Sequence, residues 1–201
     1  MKTFAVAAVA LTAAALTATE PVEKFEIDAA QTSIGFTVRH LGVSNVRGKF
    51  NQLDGEIYFD EANINRSSIR VTVYASSIDT ENEKRDNHLR SADFFDAATY
   101  PTITFKSTGV QVVDDNNVKL TGDLTMHGVT KPVTLDVEYL GQGNSPFGDV
   151  RAGFEASTKI NREDFGLGWN VALEAGGVLV GKEIKIQLAV EAVKVVETAT
   201  A

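Results

Sequence analysis

Residues 117–139 read NVKLTGDLTMHGVTKPVTLDVEY. Val118, Leu120, Leu124 and Met126 share one parity, with Lys119, Thr121, Asp123 and Thr125 on the other. Past His127-Gly128 the alternation resumes, with Val133, Leu135, Val137 and Tyr139 set against Thr134, Asp136 and Glu138. A period of two gives each strand one dry face and one wet face. That is the pattern of antiparallel sheet, whereas buried parallel strands read as unbroken apolar runs. The segment Leu124 to Lys131 turns the first strand into the second.

The same period spreads outward. Ile69, Val71, Val73 and Ala75 alternate with Arg70, Thr72 and Tyr74; Val150, Ala152, Phe154, Ala156 and Ile160 form another row, as do Ile184, Ile186, Leu188 and Val190. Strands are expected near 22–28, 32–40, 46–59, 68–76, 101–113, 117–126, 131–141, 149–160 and 181–195. Asp114–Asn117 suits one hairpin turn and the stretch 141–148 another. Thr80–Tyr100 breaks the pattern: it is polar, poor in β-branched residues, and reads as a short helical insertion near 82–98. Pro101 then forces Tyr100 toward extended geometry. With no repeat, linker or shift of composition, one domain is expected over 22–196, followed by a frayed tail at 197–201. The fold class is all-β, and about eight amphipathic strands must stack as a sandwich or close into a barrel. A barrel of about eight strands is wide enough either to be filled by side chains or to hold one elongated apolar ligand. Ala75, Gly122, Ala152 and Ala156 on the candidate inner face leave room, yet a packed core with some alanines fits the same pattern.

The amino terminus is of another kind. Residues 1–18, MKTFAVAAVALTAAALTA, carry Lys2 ahead of apolar and small residues with no acid, the order of a secretory signal peptide. The span from Thr3 to Ala18 is shorter than the ~20 residues that cross a bilayer. The mature chain is therefore expected to be exported and soluble. The 201 residues have a formal net charge of −8 and no cysteine, and loss of Lys2 with the leader would take the charge to −9. Absence of cysteine excludes disulfide scaffolds, zinc ribbons and thiol enzymes. The overall acidity argues against nucleic acid or an anionic membrane surface as the main partner.

Signatures of catalysis are absent. His40, His88 and His127 are far apart and show no metal-ligand spacing, so no metal site is expected. No G-x-S-x-G or G-x-G-x-x-G string occurs. Asp114–Asn117 lacks the glycine and closing Glu of a calcium loop. Denser polar groupings remain. His40 continues the parity of Ile34, Phe36 and Val38, which would put its imidazole at a barrel mouth. Arg85, Asp86 and His88 precede Phe94-Phe95, and Arg162 lies in the Asn161–Gly166 stretch that ends a strand. Each grouping equally reads as turn-fixing ion pairs and hydrogen bonds.

At these residues the sequence resembles the YceI-like family of bacterial periplasmic polyisoprenoid-binding proteins. Five motifs in order carry the resemblance: FEIDAAQTSIGFTVRHLGVSNVRGKF (25–50), ASSIDT (75–80), RDNHLRSADFFDAATYPTITFKST (85–108), LTGDLTMHGVTKPVTL (120–135) and GFEASTKINREDFG (153–166). Gln31-Thr32 stand where the family usually has His then Ser, so any role that needs an imidazole there is lost. The resemblance implies an eight-stranded antiparallel lipocalin-like barrel and a cavity for an isoprenoid lipid of the quinone or polyprenyl phosphate type. It also implies a periplasmic location, often a dimer, an association with stress, no cofactor and no enzymatic activity. By strand parity the candidate cavity wall is Phe36, Val38, Ile57, Phe59, Val71, Val73, Phe105, Leu124, Met126, Leu135, Val137 and Phe154. The candidate polar mouth is His40, Arg85, His88 and Arg162. Two other readings stay open: an enzyme acting on such a lipid with His40 or His88 as general base, and a fully packed structural or interaction barrel.

Overall fold

The computed structural model describes residues 21–174 and 176–196; the expected signal peptide (1–18) and frayed tail (197–201) lie outside the described residues. The strands are β1 (Glu23–Ile27), β2 (Ser33–His40), β3 (Ser44–Phe50), β4 (Leu53–Phe59), β5 (Ser68–Tyr74), β6 (Ile78–Asp79), β7 (Thr102–Val112), β8 (Asn117–Met126), β9 (Val129–Asn144), β10 (Val150–Asn161) and β11 (Val180–Lys194), with one α-helix, α1 (Glu83–Arg90), between β6 and β7. Every pairing between these strands is antiparallel. The order β1-β4-β5-β7-β8-β9-β10-β11 returns to β1 through a β1–β11 pairing, which closes an eight-stranded barrel. Closure leaves no edge around that ring to recruit another chain. No helix of the described residues is long and apolar enough to cross a membrane.

β11 does two jobs. Its C-terminal part pairs with β1 (Phe25↔Lys194) and its N-terminal part with β2 (Ile186↔Phe36), so β1 and β2 follow one another along the same wall around the turn at Asp28–Thr32. The expected single strand 46–59 is likewise two strands. It breaks at Asn51-Gln52, whose N–H groups donate to the Ser77 carbonyl (3.1 Å) and the Ser77 hydroxyl (3.1 Å). The chain there exchanges β2 as ladder partner for β1 and β5, a change of tertiary partner that a local pattern does not record. The two-residue β6, paired with Lys49 and Phe50, was not expected for the same reason. β9 runs past its expected end at 141 to Asn144. The expected turn at 141–148 accordingly shortens to one closed by a Gly148 N–H to Ser145 carbonyl bond of 3.1 Å. Leu140 is the extra residue of a bulge, since Tyr139 faces Phe154 and Gly141 faces Gly153.

Apolar residues gather at the two ends of the barrel and along one wall. Phe25, Ile57, Phe59, Ala152 and Ala192 fill one end. Phe94, Met126, Phe165 and Leu167 fill the other, and Ile34, Leu53, Val71 and Val73 line the wall between. The second end is plugged by the insertion. The Asn82 side chain caps α1 by accepting from the Arg85 N–H (3.0 Å), and buried Asp86 accepts from the Thr80 N–H (2.9 Å) and hydroxyl (2.5 Å). Arg90 donates to the carbonyls of Ser76 (2.7 Å) and Ile78 (2.8 Å). A helix with little apolar surface of its own is thereby tied to the wall, and the turn after it carries Phe94 and Phe95 inward.

At the first end, Arg151 gathers three carboxylates: Asp28 (2.9 Å), Asp149 (3.2 Å) and Glu191. Hydrogen bonds from Arg151 first, and from Ser145 second, hold the Asp149 carboxyl below the usual carboxylate range. A depressed native pKa means that the contribution is complete above the unfolded carboxyl value near ~4 and fades as pH falls through the lower native value. Thermal unfolding followed by circular dichroism should therefore show an acid-side loss of Tm below about pH 4 that is shallower in Asp149→Asn than in the parent. Superimposable acid limbs would remove Asp149 from that account.

Candidate binding cavity

Alternation on every long strand sends one row of side chains inward, and the structure surrounds them with a cavity of about 270 Å³. An engineered apolar void of about 150 Å³ stays dry and takes up benzene, so this space is large enough for a hydrocarbon ligand. Val133, Leu135 and Val137 show the void from the residue side. They point inward from β9 and are only partly buried; Val133 packs against the Phe94–Leu167 cluster, while Leu135 and Val137 face the open space. All twelve residues chosen by parity line this space. Parity selection left out Ile184, Ile186, Leu188 and Val190, although their row is as regular as the others. It could not find Leu89, Phe94 and Phe95, which reach the cavity from the helical insertion and the turn after it.

Two of the wall aromatics depend on a glycine. Phe36 is paired across the ladder with Gly48, and a Cβ built on Gly48 would sit 2.4 Å from the Phe36 ring. A Cβ on Gly122 would sit 2.4 Å from Phe105. In each pair the missing side chain lets a ring lie flat over the neighbouring strand instead of standing into the cavity.

Of the four candidate mouth residues, Arg162 alone lines the cavity among the described residues. It begins the 3₁₀ turn after β10 and is 2% exposed. Its guanidinium donates to the carbonyls of Gly181 (3.0 Å), Leu167 and Val180 (3.5 Å). Among the described residues no carboxylate pairs with it, and Glu163 is engaged by Lys182 at 2.8 Å. Burial pushes the Arg162 pKa down, with the Glu163 charge acting the other way. Two of its five N–H groups remain beyond these three bonds. The result is one buried cation, held by backbone carbonyls with the Glu163 charge nearby, in the wall of a space whose surface is almost wholly apolar.

The other three candidates are elsewhere. His40 ends β2, opposite Val180 and Ser44. Arg85 donates to the Thr80 hydroxyl (2.7 Å) and carbonyl (2.7 Å). His88 pairs with Asp93 at 2.9 Å and sets its ring edge-on to Trp169 (4.7 Å between centroids) and Phe94 (5.1 Å), behind the plug. Among the described residues no Asp or Glu lines the cavity, so neither histidine meets one of their carboxylates inside it. No group of three or more potential metal ligands forms among the described residues.

A closed eight-stranded antiparallel barrel around an apolar chamber defines the class of small barrels built to enclose rather than to pack. Within it, the YceI-like domain matches residues 25–192, and the chain belongs to that family. The protein YceI of Escherichia coli (strain UMN026) is 42% identical over 171 residues, which cover 85% of this chain and 86% of the relative. The Campylobacter jejuni YCEI crystal structure superposes with a TM-score of 0.69 at 34% identity, over 79% of this chain and 90% of that one. A polyisoprenoid binding domain from Saccharophagus degradans, implicated in plant cell wall breakdown, shares the fold with a TM-score of 0.62 at 15% identity, over 87% of this chain and 99% of its own.

Proposed function

We propose that this protein is an exported, periplasmic carrier or buffer that holds an isoprenoid lipid, of the quinone or polyprenyl phosphate type, in the barrel cavity. The observation that carries this reading is the chamber itself: a space inside the barrel walled by apolar side chains, with one buried cation among them. Burying each CH₂-sized unit is worth about 0.8 kcal/mol, so a chain of several isoprene units supplies affinity without a dedicated motif. Arg162, the one candidate mouth residue that lines the cavity among the described residues, is the group that would meet a quinone carbonyl or a phosphate oxygen. The likeness in fold to the polyisoprenoid binding domain from Saccharophagus degradans supports the ligand class. Binding rather than turnover is favoured because, among the described residues, the cavity wall offers no carboxylate and no histidine to work as a general base.

The test is to purify the protein from the periplasmic fraction under non-denaturing conditions and weigh the intact complex by mass spectrometry. A mass excess that extracts into solvent as an isoprenoid lipid is the expected result. Protein of bare mass that also fails to take up an added quinone or polyprenyl phosphate would end the carrier reading. Chemical conversion of the added lipid, abolished in His40→Ala or His88→Ala, would replace it with an enzyme.

A further inference from the structure

Acidity is spread unevenly along this chain. It carries 27 Asp and Glu, yet none lies between Asp28 and Asp54, where Arg39, Arg47 and Lys49 are the only full charges. That stretch is the β2–β3 hairpin, and all three basic residues face outward on it. Arg39 and Arg47 have no ion-pair partner among the described residues, as is also true of Lys106, Lys131 and Lys185; what sets this hairpin apart is that its full charges are all positive.

The tip of the same hairpin is apolar. Val43 is 82% exposed and Leu41 43% exposed, and Leu41 is held at φ 53° ahead of Gly42 at φ 74°. A bulky residue in the left-handed region is strained, and here it is kept there with its side chain in water. The Leu41 N–H donates to the Leu179 carbonyl (2.9 Å) and the Leu179 N–H to the Val171 carbonyl (2.9 Å), which joins the tip to the 170–180 loop. That loop adds Val171 (46% exposed) and Val178 (40%), with Glu174 as its one acid. Phe36, Val38 and Val180 on the adjoining strands line the cavity, so the apolar tip is continuous with the cavity wall.

We propose that this tip docks reversibly on an anionic lipid bilayer, with Leu41, Val43, Val171 and Val178 entering the interface and Arg39 and Arg47 meeting lipid phosphates. An apolar patch flanked by unpaired arginines has the make-up of an interfacial anchor. The acidic remainder of the barrel is repelled by the same surface, which orients the molecule tip-first. Docking does not depend on what the cavity holds.

The experiment is co-sedimentation of the mature protein with vesicles of phosphatidylcholine, with and without phosphatidylglycerol, and free of isoprenoids. The parent should bind the phosphatidylglycerol vesicles and be released as salt is raised. The pair Leu41→Ser and Val43→Ser should lower the partition coefficient about tenfold. The pair Arg39→Gln and Arg47→Gln should remove the preference for phosphatidylglycerol. A cavity-filled variant, Ala156→Trp, should bind vesicles like the parent, which separates this proposal from the carrier reading. Indifference of the parent to phosphatidylglycerol, or of binding to both pairs of substitutions, would overturn it. A change of oligomeric state in the Leu41/Val43 variant without loss of vesicle binding would also overturn it, by making the tip a contact between copies.

Discussion

If the barrel carries a lipid as proposed, replacing Ala156 with tryptophan is expected to expel it while leaving the barrel folded. Ala156 faces the cavity from β10, between Val137 on β9 and Leu188 on β11. An indole at that position projects into space that the parent leaves unfilled. The usual overpacking penalty of about 1–3 kcal/mol for enlarging a residue in a filled core is therefore largely avoided. The ligand bears the effect. Displacing one five-carbon unit removes about 4 kcal/mol at about 0.8 kcal/mol per CH₂-sized group, close to a thousandfold in Kd. Native mass spectrometry should show bare protein, and titration with a quinone should show the loss of affinity, with Tm within a few degrees of the parent. A variant that folds and still carries parental amounts of lipid would mean that the lipid sits elsewhere.

The second large effect falls on closure of the barrel. β1 is five residues long and bridges β4 and β11, and Phe25 at its centre is fully buried. Its ring lies edge-on to Phe59 with centroids 6.4 Å apart, in the cluster that fills that end. Phe25→Ala removes this anchor and leaves a void, at a cost of about 3–5 kcal/mol. For a chain of this size that is a fall in Tm of about 6–20 °C, readable by calorimetry. Hydrogen exchange should quicken at β1 and at the C-terminal half of β11 before it does in β8–β10. A Tm within about 2 °C of the parent would show that β1 is not what holds the ring shut.

Much of the wall was legible because water itself writes the pattern. In β8, β9 and β10 one face meets solvent and the other meets the interior, so every second residue reports its side. The inward rows of those strands are found where parity put them. The helix was legible from the opposite cue, a polar stretch without β-branched residues. What it does was not legible: the burial of Asp86 and the inward turn of Phe94 and Phe95 depend on Thr80, Ser76 and Ile78, contacts made only once the wall is in place. The break at Asn51-Gln52 and the two-residue β6 escaped for a related reason. They mark where one strand changes neighbours, and neighbours distant in sequence leave no local signature.

Arg162 separates the two kinds of information most clearly. Composition and spacing could mark it as a charged residue at a strand end; its enclosure came from the return of β11, whose Val180 and Gly181 carbonyls it caps. By itself, then, the sequence determined the long strands, their inner and outer faces, and the family, because each depends on periodicity or on motifs written in order along the chain. Only the tertiary structure decided that the ring closes through β1 and β11, and that its ends are packed while its middle stays hollow. Those outcomes depend on which residues meet across the barrel axis, and a dry face reads the same whether or not another side chain reaches it from the far wall.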